Sequence, residues 1–171
     1  MTDVTIIGAG IGGMTTAIVS SYEGLSVRLI DKNGFKMPQN KSSHFFSLPV
    51  LGSYTPESLY EVWVRDISNC GIELTRDKAV SIFKEGDIFK VCGEIGYYFS
   101  YSVIIAAGKD HGISFPAAGL HCHVDESCRA SPSGLMLCGN ARREAGLLRC
   151  MADGMVCGET AAEWVKSNFY T

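Results

Sequence analysis

The sequence predicts an α/β fold, in which a parallel sheet carries an antiparallel β-meander. A G-x-G-x-x-G turn at residues 8–13 directly follows the apolar run 4–7. A second apolar run, 27–30, ends in Asp31. From residue 72 onward, short β-prone runs alternate with turn sequences. Strand, glycine turn, helix and strand in this order indicate a parallel β-α-β unit, and the later runs indicate the meander.

Length and composition limit the class of protein. A chain of 171 residues with 46% hydrophobic and 19% charged residues suits a single folded domain. The net charge of -3 gives no general attraction to nucleic acid or to anionic lipid. The longest apolar stretch, 6–19, is interrupted by glycines and is too short to span a bilayer. Asp3 stands where a secretory leader would be basic, so we expect a cytoplasmic protein.

The number of cysteines also indicates a cytoplasmic protein. The chain has seven cysteines, an odd number and too few for a disulfide scaffold. We therefore expect reduced thiols. The seven are Cys70, Cys92, Cys122, Cys128, Cys138, Cys150 and Cys157.

The glycine turn predicts a dinucleotide site. The first glycine allows the tight turn, the second lets the backbone approach a pyrophosphate, and the third lets the helix pack on the strand. The helix N-terminus adds amide donors and a positive dipole end. Asp31 lies 18 residues past Gly13, near the position of a carboxylate that accepts from a ribose. The alternatives are a purely structural turn and a solvated strand end. The pyrophosphate residues are Gly8, Gly10, Ile11, Gly12 and Gly13.

The spacing of apolar residues, and the capping residues, prolines and glycines between them, predict the remaining helices and strands. Helices are predicted at 12–22, at 56–69 behind a Thr55 cap, and at 148–169. The segment 38–51, with its prolines and polar residues, is predicted to be a loop over the cofactor. Short meander strands are predicted at 72–74, 79–83, 87–92 and 97–101. Buried strands are predicted at 102–106 and 134–138.

Three glycine-bearing strand ends give the chain a family resemblance. Residues 6–13 resemble the opening fingerprint of the FAD domain of thioredoxin-reductase-like pyridine nucleotide–disulfide oxidoreductases. Residues 103–108, ending Ala107-Gly108, resemble the second motif of that family. Residues 134–140, ending Gly139-Asn140, resemble the third. The resemblance implies a Rossmann-like FAD-binding fold, with FAD as the cofactor.

The departures from that family are as informative as the matches. Gly108 and Gly139 are only 31 residues apart, at the place where the family inserts a second nucleotide-binding domain. Such a domain needs roughly 100 residues. The sequence also contains no C-x-x-C. We therefore expect 1–171 to be a single FAD-binding domain, in which segments 1–108 and 134–171 join without an NADPH domain.

The resemblance also assigns roles to individual residues. It implies that Asp31 binds the adenosine ribose, with Lys32 beside it, and that the backbone at Val80 pairs with adenine. Gln39 corresponds to a glutamine near the isoalloxazine ring, although an ordinary loop glutamine is an equal alternative. Asn140 replaces the aspartate that accepts from the FAD ribitol. An amide oxygen still accepts, but the charge-assisted part, about 1 kcal/mol, is lost.

Cys150 is the one candidate for a catalytic residue. It takes the place of a glutamine that the family sets near the flavin, at the start of the last predicted helix. A thiol at a helix N-terminus can have a lowered pKa and be nucleophilic. The alternative, which we favour, is a buried and inert cysteine.

Two further patterns have plainer interpretations. His121-Cys122-His123 with Cys128 suggests a metal, but the spacing fits no common zinc pattern, so we expect no metal and a polar loop. Residues 142–144, which begin with Arg142, are predicted to be a solvated turn.

The function expected from these features is that of a single-domain FAD-dependent oxidoreductase. A donor outside the domain would reduce the flavin, and a partner protein or small molecule would reoxidise it. The missing domain leaves one flavin face open, to substrate or to a second copy in a homodimer. The alternatives are a non-catalytic FAD-binding subunit or redox sensor, and a plain NAD-binding protein. Asn140 argues against the NAD-binding alternative, because a ribitol contact has meaning only for FAD.

Overall fold

A seven-stranded sheet forms the centre of the computed structural model, which describes residues 1–35, 46–48, 52–109, 112–114, 124–142 and 146–170. The strands of the described chain are β1 (Thr2–Ile7), β2 (Val27–Ile30), β3 (Phe46–Leu48), β4 (Gly52–Tyr54), β5 (Glu73–Thr75), β6 (Ala79–Glu85), β7 (Ile88–Gly93), β8 (Tyr97–Ile105) and β9 (Leu135–Leu137). The helices are α1 (Ile11–Tyr22), α2 (Pro56–Asn69) and α3 (Leu147–Phe169).

The sheet combines a parallel and an antiparallel part. Its strand order is β5-β2-β1-β8-β7-β6, and β9 also pairs with β8. β5, β2, β1, β8 and β9 run parallel, while β6 and β7 form the antiparallel meander. The predicted fold class, a parallel sheet with an antiparallel meander, is confirmed.

Alternating side chains divide the core between the two faces of the sheet. Ile6, Leu29, Ile104 and Met136 pack in one cluster with residues of the helices. Their neighbours along the same strands pack in a second cluster with residues of the meander; they are Ile7, Ile30, Ile105 and Leu137. Successive side chains of a strand point to opposite faces, so apolar runs of this kind build a sheet that is buried on both sides.

The helices are fixed by local signals and by close packing. Thr55 caps α2 as predicted: its hydroxyl accepts from the backbone N–H of Ser58 at 3.1 Å, and the Ser58 hydroxyl accepts from the Thr55 N–H at 3.0 Å. α1 lies against α3, and a Cβ on Gly154 would stand 2.7 Å from the carbonyl oxygen of Gly12. A Cβ on Gly158 would stand 2.7 Å from Val19. These glycines therefore allow α3 to pack closely along α1.

The structure corrects the predicted elements at three places. The predicted loop 38–51 contains the strand β3, which pairs with β4 in a separate antiparallel sheet; the rest of that loop lies outside the described residues. The predicted meander strand 72–74 is the parallel edge strand β5, with Arg28 opposite Glu73. The predicted strands 97–101 and 102–106 are one continuous strand, β8.

Continuity through Ser100 and Ser102 explains why β8 is longer than predicted. Both serines are fully buried. The Ser100 hydroxyl donates to the carbonyl of Ser102, and the Ser102 hydroxyl donates to the carbonyl of Gly134, each at 2.8 Å. Because these hydroxyls are satisfied inside the protein, the strand crosses a polar stretch without a break.

Among the helices that the structure describes, none is both long and apolar enough to cross a membrane.

Candidate functional site

The carboxyl ends of three parallel strands meet at one edge of the sheet. The N–H of Ala106, just past β8, donates to the carbonyl of Ile7 at 2.8 Å. The N–H of Cys138, just past β9, donates to the carbonyl of Ile105 at 2.9 Å. The three glycine-bearing segments that the sequence singles out therefore lie side by side, where open α/β sheets bind their ligands.

The turn between β1 and α1 needs its glycines for close approach. Gly8 has a φ of +109°, and a Cβ there would stand 2.6 Å from the carbonyl oxygen of Ala106 and 2.7 Å from the Cα of Ala107. A Cβ on Gly13 would stand 1.9 Å from the carbonyl oxygen of Gly8. A Cβ on Gly12 would stand 2.8 Å from the sulfur of Cys138. A side chain at Gly8 or Gly12 would push neighbouring segments apart, and one at Gly13 would distort the turn itself.

The N-terminus of α1 is built to receive an anion. The first hydrogen bond inside the helix runs from the N–H of Met14 to the carbonyl of Gly10, so the N–H groups of 11–13 precede it. Within the described residues, no side chain caps this helix and its first turn holds no acid. A Cβ on Gly10 would meet no described atom within 4 Å, which leaves open space over the turn. The residues present thus fit a pyrophosphate.

Asp31 lies beside this turn. Its Oδ2 accepts from the N–H of Ala9 at 2.8 Å, and its Oδ1 accepts from the N–H of Asn33 at 2.7 Å. A carboxylate has further lone pairs with which to accept from a ribose hydroxyl. Lys32 is exposed next to it. Gln39 lies outside the described residues.

Tyr60 of α2 is a polar group near Asp31 that the sequence did not single out. Its side chain is buried, and its hydroxyl has no hydrogen-bond partner among the described residues. Burial raises the pKa of Tyr60, and the nearby charge of Asp31 raises it further. The spacing of apolar residues in α2 predicts which face of the helix is buried, but it does not predict a buried tyrosine hydroxyl near Asp31.

Val80 lies on β6, three strands away from β1. Its side chain is partly exposed, and its carbonyl accepts from the N–H of Ser114 at 2.8 Å. This hydrogen bond lies at the outer edge of the sheet, because β6 is its last strand on that side. Its role toward adenine stays a prediction.

Asn140 and Cys150 face each other at the start of α3. Gly139 and Asn140 begin a 3₁₀ turn, Gly139–Ala141, directly past β9. Asn140 is exposed, and the Cys150 thiol lies 4.0 Å from its Oδ1. A Cβ on Gly139 would stand 3.1 Å from the sulfur of Cys150. Gly108 of the second motif has a φ of +86°.

The surroundings of Cys150 affect the pKa of its thiol. The side chain is half-buried in the first turn of α3. Burial raises the pKa of Cys150, and the neighbouring Cys138 raises it further. Both effects favour the alternative of an inert cysteine over a lowered pKa. The catalytic role of Cys150 stays a hypothesis.

The prediction that Arg142 lies in a solvated turn is wrong. Its side chain is only 10% exposed, and its Nη1 lies 3.3 Å from Oδ1 of Asp153, whose side chain is 4% exposed. The Nη2 donates to the carbonyl of Asp125 at 2.6 Å. Arg149 pairs with the same Asp153 oxygen at 3.3 Å from the solvent side. Residues 143–145 lie outside the described residues.

The thiols and histidines give no metal site in the described part of the chain, where no group of three potential ligands is found. His121, Cys122 and His123 lie outside the described residues. No disulfide joins any two of the six described cysteines.

Comparison with known proteins agrees with this geometry. A family model described as "FAD binding domain" matches residues 3–45, and no curated protein matches the chain. The thioredoxin reductase of Streptococcus pyogenes MGAS5005 aligns over 98% of this chain and 99% of its own, with a TM-score of 0.82 and 13% identity. This chain has the Rossmann-like FAD-binding fold of thioredoxin reductases.

Two more solved structures show the same fold. The thioredoxin reductase of Gloeobacter violaceus aligns over 98% of this chain and 96% of its own, with a TM-score of 0.79 and 13% identity. A ferredoxin-flavin thioredoxin reductase of Clostridium acetobutylicum aligns over 97% and 98%, with a TM-score of 0.79 and 13% identity. The matched segment 3–45 contains the glycine turn and Asp31, and it indicates FAD binding, as the sequence predicts.

Proposed function

We propose that this chain is an FAD-dependent oxidoreductase that passes electrons from an external donor to a partner protein or small molecule. The convergence of the three strand-end motifs around an uncapped helix N-terminus carries the proposal. Bound FAD would supply the redox chemistry, and the protein would supply binding, orientation and electrostatics.

Different residues of the site bind different parts of FAD. The N–H groups of 11–13 offset the charge of the pyrophosphate, helped by the dipole of α1. Asp31 accepts from the adenosine ribose while it holds Ala9 in place. Asn140, at the end of the third motif, accepts from the ribitol chain. Hydrogen bonds at both ends and charge stabilisation in the middle would fix an extended dinucleotide along the edge of the sheet.

We propose an external electron donor because the connection between the second and third motifs is short. Gly108 and Gly139 are joined by too few residues to hold a nucleotide-binding domain of roughly 100 residues. The chain also lacks a C-x-x-C that would receive electrons within it. A free nicotinamide, a reduced ferredoxin or another partner protein would therefore deliver the electrons.

Anaerobic reduction tests the proposal. The purified protein is reconstituted with FAD, and its visible spectrum is followed while NADPH, NADH or reduced ferredoxin is added. Bleaching by at least one donor, and recovery of the spectrum on addition of an acceptor, supports an oxidoreductase. If FAD is bound but no donor bleaches it beyond the rate for free FAD, the chain is a non-catalytic FAD-binding subunit or sensor.

A further inference from the structure

Three thiols lie together in the core beneath the cofactor site. The side chains of Cys128, Cys138 and Cys157 are 0%, 1% and 0% exposed. The Cys128 thiol lies 4.0 Å from the carbonyl oxygen of Asp153, which is one helical turn before Cys157, and the Cys157 thiol lies 3.6 Å from the carbonyl oxygen of Leu137. Cys157 lies in the middle of α3, while Cys128 lies in the segment that leads into β9. Cys128 therefore packs against α3 one turn from Cys157, and each of these two thiols affects the pKa of the other.

Arg142 distinguishes Cys128 from the other two. Its Nη1 lies 3.3 Å from the Cys128 sulfur, and the same nitrogen pairs with Asp153. A guanidinium at this distance stabilises a thiolate. The hydrogen bond from Cys157 and the charge of Arg142 lower the pKa of Cys128, against burial and the charges of Asp153 and Asp125. Hydrogen bonding to Cys128 and Cys138, together with burial, raises the pKa of Cys157.

We propose that Cys128 and Cys157 form a hydroperoxide-reactive dithiol, with Cys128 as the nucleophile, Arg142 as its stabilising cation and Cys157 as the resolving thiol. The Cys128 thiolate attacks one peroxide oxygen, the O–O bond breaks, and water or an alcohol leaves once a proton is taken up. The sulfenic acid formed on Cys128 then condenses with the Cys157 thiol. The S–S bond forms as the S–O bond breaks, and a molecule of water leaves.

Electrons and protons balance in the proposed reaction. Two thiols lose two electrons and two protons, and the hydroperoxide is reduced by the same two electrons. Formation of the disulfide requires the two sulfurs to approach to about 2.05 Å, so the segment that carries Cys128 must move toward Cys157 of α3. Because both sulfurs are buried, the reaction requires local opening of the segment around Cys128. It is therefore expected to be slower than oxidation of an exposed thiolate.

Peptide mapping of the wild-type protein is the direct test. The protein, with and without FAD, is treated with hydrogen peroxide, alkylated and digested without reduction. We expect a cross-linked peptide pair that contains Cys128 and Cys157, in both samples. Linkage of Cys157 to Cys138 instead, or complete oxidation of other cysteines while Cys128 and Cys157 are still alkylated as thiols, overturns the proposal. Because the sample without FAD gives the same readout, the test does not depend on the proposed function.

A matched pair of arginine variants tests the activating role. Arg142 and Arg149 both pair with the same oxygen of Asp153 at 3.3 Å, but only Arg142 contacts Cys128. Arg142→Gln is expected to slow disulfide formation about tenfold, and Arg149→Gln to leave it within about twofold. Equal rates in the two variants contradict the role of Arg142. Arg142→Lys, which keeps the charge, serves if the glutamine variant does not fold.

A resolving-cysteine variant identifies the nucleophile. In Cys157→Ser the sulfenic acid has no thiol to condense with, so dimedone is expected to label Cys128 after peroxide treatment. In Cys128→Ser, Cys157 is expected to stay unlabelled. Labelling of Cys157 in that variant, with none of Cys128 in the first, would reverse the assignment and overturn the proposal.

Discussion

The carboxylate of Asp31 accepts a hydrogen bond from the backbone N–H of Ala9 at 2.8 Å. This contact ties the end of β2 to the glycine turn between β1 and α1. Ala9 is almost fully buried, so its N–H depends on this one acceptor among the described residues. One side chain thereby shapes the turn and lies where the ribose of a dinucleotide is expected.

Replacing Asp31 tests both roles. Asp31→Ala leaves the buried N–H of Ala9 without its acceptor, so we expect the free energy of unfolding to fall by about 1–3 kcal/mol. FAD affinity should fall by about tenfold, since the ribose also loses an acceptor. Urea unfolding and FAD titration measure the two effects. Asp66→Ala, which removes an exposed ion pair with Arg65, is the control and should change neither by more than about 1 kcal/mol.

Asp31→Asn separates the two roles further. Its amide oxygen still accepts from Ala9, so the loss of unfolding free energy should be smaller than in the alanine variant. An unfolding free energy equal to that of wild type in both variants would show that the Ala9 contact contributes nothing.

Gly10 is predicted to matter to the cofactor and not to the fold. It caps α1 with a φ of −76°, which any residue adopts, and a Cβ there meets no described atom within 4 Å. Gly10→Ala should therefore leave the melting temperature nearly unchanged while it weakens FAD binding at least tenfold, since the Cβ occupies the space over the turn. Gly146→Ala, at an open N-cap of the same conformation, controls for stability. Unchanged FAD affinity in Gly10→Ala would contradict the site.

Gly13 provides the opposite case. A Cβ there would stand 1.9 Å from the carbonyl oxygen of Gly8, so Gly13→Ala should lower the melting temperature whether or not FAD is present. Thermal unfolding of the apoprotein measures this. A melting temperature equal to that of wild type would show that the turn relaxes without cost.

Asn140→Asp is predicted to tighten FAD retention. The carboxylate restores a charge-assisted acceptor for the ribitol, about 1 kcal/mol or roughly fivefold in affinity. Asn69→Asp adds the same charge at the exposed C-terminal end of α2 and should leave the affinity unchanged. FAD titration of the three proteins decides. Equal affinity in wild type and Asn140→Asp would show that Asn140 makes no ribitol contact.

The thiol of Cys150 is predicted to react slowly at neutral pH. Burial raises its pKa, so the reactive thiolate is scarce below the ordinary thiol pKa of about 8.5 and continues to increase above it. Alkylation by iodoacetamide, followed peptide by peptide across pH, measures this against reduced glutathione. Faster labelling of Cys150 than of glutathione at pH 7 would show instead that the thiol is activated.

Local patterns in the sequence predicted the elements that position the site. The glycine turn, the helix that follows it and the Thr55 cap depend on residues within a few positions of each other, and the structure has all three. The strand partners were harder to predict. Three β-prone residues near Leu74 do not reveal whether their neighbour will be parallel or antiparallel, because that depends on β2, more than 40 residues away.

Long-range burial explains the other differences. Arg142 has the composition of a solvated turn, and its burial depends on Asp153 in the next helix and on Asp125 in the preceding segment. Ser100 and Ser102 resemble a break between two strands, and only their partners within the fold show that the strand continues. The pKa direction of Cys150 likewise depends on burial, which a position at a helix N-terminus does not predict.

Titration of the refolded apoprotein with FAD and, separately, with NAD⁺ tests most directly whether the three strand-end segments form a flavin site. We predict saturable binding of one FAD per chain, weakened at least tenfold in Gly10→Ala, and no comparable binding of NAD⁺. A folded apoprotein that takes up no FAD, or that binds NAD⁺ in its place, would contradict the account.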